Sequence, residues 1–479
     1  MSHPWVNFEV AYITIELESA FLVEAGDNDR LADAVFVTDA NGLPCIPGES
    51  LAGVLRHALA GDDCPEKNLR CREVFGFQEK SCGQASRVRL SYGHVHGQDD
   101  RPVPFRGAKL AGDTVLSALQ AGVVRDHVRI GKHGAAEDKA KFDELLIPAG
   151  ARFTFEITLS KEAQSSAAEF VSLLSRPEVR IGGKTRRGMG QFRVVKAVHT
   201  EFDLTKKDDL KRLGALPVAL ELAAVNKSLK TLEVSKVGTR SSYLNGTVLL
   251  RPTGTWMIGG GSATGRASES KVKKEGSGEQ DAPLDRLPLS EKRIRWKQSG
   301  PILGTVESGR ETPYLLPASS VKGAVRHRTA FHARRLNGDW YDPSKTYGES
   351  DKVEDLLFGN IRGGDKGKPG VVYLSDVYLP ADTKVQLLQH VSLDRFTQGP
   401  MDHMLYDELA LCGGEIAINI SVDESQIQDD RAKEALAAAI EDLCQGRLAL
   451  GAGRGHGRFT GQVTWENNKT LVSKVGAVC

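Results

Sequence analysis

The feature that most restricts the fold is an ordered internal repeat. IPGESLAGVLRH at 46–57 returns as LPASSVKGAVRH at 316–327, an offset of 270, with Pro47, Ser50, Gly53 and Arg56 matched by Pro317, Ser320, Gly323 and Arg326. EVFG followed by RVRLS returns as DLLFG followed by VVYLS. HVRI before FDELLIPAGARFTFEITL returns as HVSL before YDELALCGGEIAINISV, and GGKTRRGMGQF at 182–192 returns as GAGRGHGRF at 451–459. Four blocks in one order imply duplication. The 479 residues, about three times a typical domain, then read as one enlarged unit present twice. The boundaries expected are a first copy over 1–205, a linker over 206–244 and a second copy over 245–479, the charged DLTKKDDLKRLGA at 203–215 marking the junction.

Within each copy the pattern is α+β. Phe8 to Glu18 and Arg152 to Leu159 alternate in period two, as half-buried strands do. The segments after IPG and LPA read as helices, with Ser50 or Ser319 placed to cap and Leu51, Val54, Leu55 and Leu59 on one stripe. Second helices are expected over 163–176 and 429–448, each leading into a glycine loop and a last strand. That order predicts two split βαβ, ferredoxin-like sheets with helices on one face. Copy two carries an extra polar stretch over 259–297, a long surface loop whose exit, with Arg293, Arg295 and Trp296, suits a strand facing RNA.

A net charge of +1 argues against a uniformly basic nucleic-acid coat or a strongly acidic chaperone, though not against a local basic groove. No run approaches the ~20 apolar residues of a bilayer span, and MSHPWVNFEV lacks the blocks of a secretion signal, so a cytoplasmic protein is expected. Glycine, at 50 residues, is the informative excess. RIGGKTRRGMGQFR has Glu178 where a Walker A loop needs glycine, and GAGRGHG has His456 where a dinucleotide fingerprint needs one. What remains is backbone N–H groups backed by cations, suited to a phosphate chain: Gly182, Gly183, Lys184, Arg186, Arg187, Gly188 and Gly190 in copy one, and Gly453, Arg454, Gly455 and Gly457 in copy two.

Taken together, IPGxSLxGxLR, an FG before a strand, the DEL box before FTFEI and GGxxxRGxGxF resemble the RAMP superfamily. More narrowly they resemble backbone subunits of type III CRISPR RNA-guided effector complexes fused in tandem, in a type III-D-like arrangement. The resemblance implies two RRM-like RAMP domains, each with a thumb hairpin that wedges into a guide–target duplex. The partners it implies are guide CRISPR RNA, single-stranded target RNA and other RAMP subunits, in the cytoplasm of a prokaryote.

It also implies an endoribonuclease whose aspartate follows the first strand. DAVFVTDANGLPCIPG puts Asp33 at that place and Asp39 at the strand end, with Val35 where the family has proline and with Asp27 and Asp29 nearby. In copy two SGPILG puts Ser299 there, leaving Asp281 and Asp285 as the local acids. Such a carboxylate can take the 2′-hydroxyl proton or help hold a divalent ion such as magnesium. Guide contacts would come from Ser50, Arg56, Ser320, Lys322 and Arg326. At the thumb base HVSLDRFTQG matches the family with Asp394, Arg395 and Thr397, while HVRIGKHG has Lys132 instead. His57, Cys64, Cys71 and Cys82 stand where family members often carry a structural zinc. A non-catalytic guide-binding scaffold and a guide-processing endoribonuclease are the alternatives.

Overall fold

The computed structural model describes residues 5–26, 32–107, 109–131, 136–216, 220, 229–234, 242–260, 284–297, 302–339, 348–360, 367–380, 382–451 and 456–471. Each copy is built on the same antiparallel sheet. In copy one, Asn7–Leu17 lies between Phe192–Asp203 and Arg152–Ser160, and Val88–Leu90 lies outside the latter. In copy two, Tyr243–Pro252 lies between Phe459–Trp465 and Ile416–Asp423, with Val372–Leu374 outside. Numbered by order along the chain, both read 4-1-3-2, the ferredoxin-like order. Phe153, Phe155 and Ile157 point into the first core as their period-two spacing requires, and Ile416, Ile418 and Ile420 do the same in the second.

Helices α1 (Gly48–Ala60), α2 (Leu69–Phe75), α3 (Thr114–Ala121) and α4 (Ala167–Leu174) belong to copy one. α1 buries Leu51, Leu55 and Ala58 against the sheet. The expected serine caps are not made: Pro47 and Pro317 occupy the cap positions, which have no side-chain cap bond. The charged stretch read as linker instead forms α5 (Lys207–Gly214), and Lys230–Thr231 adds an edge strand to the copy-one sheet. Here Leu213, Leu216 and Leu229 pack on Phe8, Tyr12 and Phe202 and give the segment an apolar anchor. Copy two contributes α6 (Ala318–Asn337), α7 (Gly348–Phe358) and α8 (Asp430–Cys444).

Each copy extends a thumb, the hairpin Val123–Ile130 with Ala136–Leu146 in copy one and Val385–Leu393 with Pro400–Cys412 in copy two. At the second tip the Asp394 carboxylate accepts from the Phe396 and Thr397 amides, a turn that leaves Phe396 91% exposed.

The copies are locked by a joint of three parts. Arg125, on the first thumb, donates to both oxygens of Glu291 at 2.5 and 2.8 Å and reaches Asp376 at 2.7 Å, while the Tyr378 hydroxyl donates to Glu291 at 2.5 Å. The second part is an arm, the hairpin Arg293–Lys297 with Leu303–Glu307. Its Ile294 is buried in the copy-one core, and its Trp296 indole donates to Gly150 O at 2.7 Å beneath the Arg152 guanidinium. Gly150 has no room for a Cβ, which would stand 1.8 Å from Ile294 O. The third part is the glycine loop of copy one. Arg180 donates to Leu374 O and Ser375 Oγ, and Gly188, at φ +97°, lies so close that a Cβ would meet Ala318 Cβ at 2.4 Å.

The exit of the 259–297 stretch is therefore a strand, as expected, and it is docked on copy one. Arg293 and Arg295 are both paired with Glu307, Arg295 remaining exposed, and Trp296 is half-buried against Gly150. Ile294→Ala should cost about 2–4 kcal/mol. The expected readout is a lower denaturation midpoint with faster amide exchange in Arg152–Ser160, the strand of the other copy.

Candidate functional site

The base of each thumb carries a carboxylate held by the main chain. In copy one the Asp33 amide donates to Asp143 Oδ1 at 3.0 Å, and the Asp143 amide donates to Asp33 Oδ2 at 3.1 Å. Ala34 then bridges Glu144 in parallel register, with Leu145 N donating to Ala34 O at 2.9 Å. In copy two the Asp407 amide donates to Asp285 Oδ2 at 2.9 Å, Arg286 bridges Glu408, and Leu409 N donates to Arg286 O at 3.0 Å. Asp285 is thus the geometric counterpart of Asp33, and both are exposed.

This corrects the assignment of Ser299, which lies outside the described residues together with Asp27, Asp29 and Asp281. Leu303 and Gly304 begin the second strand of the arm, an insertion for which copy one has only the turn after Asp39. Asp39 itself is committed to that turn, its Oδ1 accepting from the Asn41 and Leu43 amides.

Behind each carboxylate stands a histidine that the sequence reading did not single out. His127 Nε2 lies 3.4 Å from Glu144 Oε2 and its ring stacks on Phe142 at 5.0 Å. His390 Nε2 lies 3.8 Å from Glu408 Oε2 and stacks on Tyr406 at 4.8 Å. The recurring HV…DEL blocks were the available signal. Glu144 is fully buried; burial pushes its pKa up, but His127 and Lys184 outweigh this and hold it below the ordinary range.

Lys184, assigned to RNA from sequence, is paired with Glu144, and Arg186 donates to Gly370 O at 2.5 Å. Gly182, Gly183 and Gly190 shape the loop itself: the Gly183 amide donates to Leu22 O at 2.8 Å, and a Cβ on Gly190 would stand 1.9 Å from Ile181 O. Gly457 repeats that approach, with Leu450 O at 2.0 Å. Lys132, Gly453, Arg454 and Gly455 lie outside the described residues.

Ser50, Arg56, Ser320 and Arg326 are half-buried on α1 and α6, Arg326 paired with Glu354 at 2.5 Å, and Arg395 is exposed at the second thumb tip. Arg187 is half-buried near the Phe142 ring.

Lys322 is turned away from solvent. Its ammonium donates to Arg186 O at 3.0 Å and Val372 O at 3.3 Å, inside the joint. Burial, then Arg186, Arg187, Arg326 and Arg180, pull its pKa down to about 7.

The four proposed zinc ligands do not converge. Asn68 caps α2 by accepting from the Cys71 amide, and the Cys71 thiol is buried beneath α1, donating to Arg56 O. Cys64 and Cys82 are exposed beside Glu66 and Glu79, and His57 is exposed on α1. Among the described residues no three histidine, cysteine or acidic side chains are grouped to hold a metal ion, so this arrangement does not fit a zinc staple.

The RAMP superfamily model matches residues 14–193 and 256–460, one span in each copy. The chain belongs to the RAMP superfamily. No curated protein matches it. Among solved structures it is similar to a chain of "Cryo-EM structure of the Type III-B Cmr-beta bound to cognate target RNA", at 13% identity and a TM-score of 0.30, covering 41% of this chain and 62% of that one. No helix of the described residues is long and apolar enough to cross a membrane.

Lys322 sets a pH dependence. Its pKa is lowered from 10.5 to about 7 on folding, so the unfolded chain holds the extra proton between those values and stability rises with pH across that window. The thermal midpoint of wild type minus that of Lys322→Met should therefore increase from pH 7 to pH 9; a pH-independent difference would refute the burial of this ammonium.

Proposed function

We propose that this RAMP protein is a subunit of a type III CRISPR effector that holds guide RNA along its two copies and cuts complementary target RNA at two places. Asp33 acts at one and Asp285 at the other. The observation that carries this reading is the duplicated carboxylate: two exposed aspartates, each fixed by a thumb amide, at equivalent points of a repeated fold.

A thumb seated in a duplex would leave the target strand unpaired beside it, freeing one ribose for in-line geometry. The aspartate carboxylate takes the proton of the 2′-hydroxyl; the 2′-oxygen bonds to phosphorus as the bond from phosphorus to the 5′-oxygen breaks, and that oxygen takes a proton from water. The products are a 2′,3′-cyclic phosphate and a 5′-hydroxyl. A divalent cation such as magnesium, if used, would be held by the Asp33 and Asp143 carboxylates with RNA oxygens completing its shell, and would supply charge stabilisation at the phosphate. Asp407 takes the place of Asp143 in copy two.

We assign the guide backbone to Ser50 and Arg56 on α1, to Ser320 and Arg326 on α6, and to Arg187 beside the first thumb. Arg395 approaches the duplex from the tip of the second.

In the assembled complex, Asp33→Ala should abolish one cut and Asp285→Ala the other, each by about 100-fold or more, with guide binding retained. Cut sites mapped on end-labelled target RNA give the readout. A double variant that still cuts at both positions would leave the scaffold reading standing.

A further inference from the structure

The joint unites unlike patches of two similar units. Copy one offers Arg125 and its glycine loop; copy two offers Glu291, Asp376, Tyr378 and the start of α6. A contact of this kind leaves one patch of each type exposed at the ends, and its repetition would string chains into an open filament. The duplication lets the ends be compared position by position.

Ile46 pairs with Gly93 as Leu316 pairs with Val377, so Tyr92 stands where copy two has Asp376, and His94 where it has Tyr378. Thr38 pairs with Pro44 as Ser290 pairs with Tyr314, so Asp39 stands for Glu291. Arg125 faces Glu144 across the first thumb as Leu388 faces Glu408 across the second, so Leu388 stands for Arg125.

The charged and hydroxyl groups of the internal lock are thus missing from the ends. The outward thumb carries no cation at this place. On the outward face of copy one, Tyr92 is 43% exposed against Phe105, His94 stacks on the same ring at 3.8 Å, and the Asp39 carboxylate is tied into its own turn. Copy one also has no arm, because its chain turns directly from Asp39 to Leu43. Between 379 and 385 copy two has no counterpart of α3, the helix beside which the arm lies. Leu388 against Tyr92 would bury some apolar surface but would supply neither the ion pairs nor the hydrogen bonds that Arg125 makes inside the chain.

We propose that the internal joint is single-use: the outward faces reject a second copy of this chain, and Leu388 and Tyr92 are the residues that withhold the lock. Its neighbours in an assembly are then different polypeptides. The inference stands whether or not the chain cuts RNA.

Sedimentation velocity of the full chain without RNA, over two decades of concentration, is the test. Wild type should sediment throughout with the mass of one chain. Leu388→Arg with Tyr92→Asp installs the missing ion pair and should strengthen self-association about tenfold or more. Leu388→Glu with Tyr92→Arg, the same pair reversed, covers the case in which the first variant fails to fold. Open-ended oligomers of wild type, or no gain from either folded pair, would overturn the proposal.

Discussion

The arrangement of the two copies rests on one buried guanidinium. Arg125 is 3% exposed and reaches two carboxylates of the other copy. Burial alone would push its pKa down, yet Asp376 and Glu291 raise it well above the ordinary value, so it is a permanent cation. Removing one partner of such a set costs about 3–5 kcal/mol, because the other charge is left buried and uncompensated. The geometry reaches further than the pair itself. Asp376 also accepts from the Ala318 amide at 2.8 Å, so the acid that receives Arg125 caps the helix whose own cap position is proline. The seat of α6 and the docking of copy one are one and the same contact.

That contact fixes which parts of the glycine-rich surface are left over. The copy-one loop was drawn by its sequence toward a phosphate chain, and three of its cations, Arg180, Lys184 and Arg186, instead meet carbonyls and a carboxylate of the protein itself. The tight approach that demands Gly188 is made by a neighbouring copy, which is a second way for a glycine-rich loop to earn its composition. Lys322 belongs to the same arrangement: it is buried, four arginines crowd it, and among the described residues no carboxylate is paired with it, which is why its proton is weakly held.

Much of this was legible in the order of the residues. The repeat announced two equal folds, period two placed Phe153, Phe155 and Ile157 on a core face, and the DEL boxes marked corresponding strands. What was not legible depended on which residues meet across the joint. Arg125 looks like any strand arginine until Glu291 and Asp376 are beside it. Trp296 and Arg293 look nucleic-acid facing until the arm folds back on copy one. Spacing along a chain likewise does not say that α2 would draw Cys71 under α1 and leave Cys64 and Cys82 outside. In copy two an inserted arm displaces the alignment, so that Ser299 falls opposite Asp33 in the sequence although Asp285 is its counterpart in the fold.

The reciprocal bonds around Asp33 have a consequence for how such a chain can drift. The groups that place each carboxylate are main-chain amides and carbonyls, which every residue except proline supplies in full. The residue after the aspartate is Ala34 in one copy and Arg286 in the other, yet the bond from its carbonyl to the thumb is the same. Neighbouring side chains are therefore free to diverge while the acid stays in place. A site anchored in this way leaves little trace in residue identity, and its two halves can grow unlike each other without losing their common geometry.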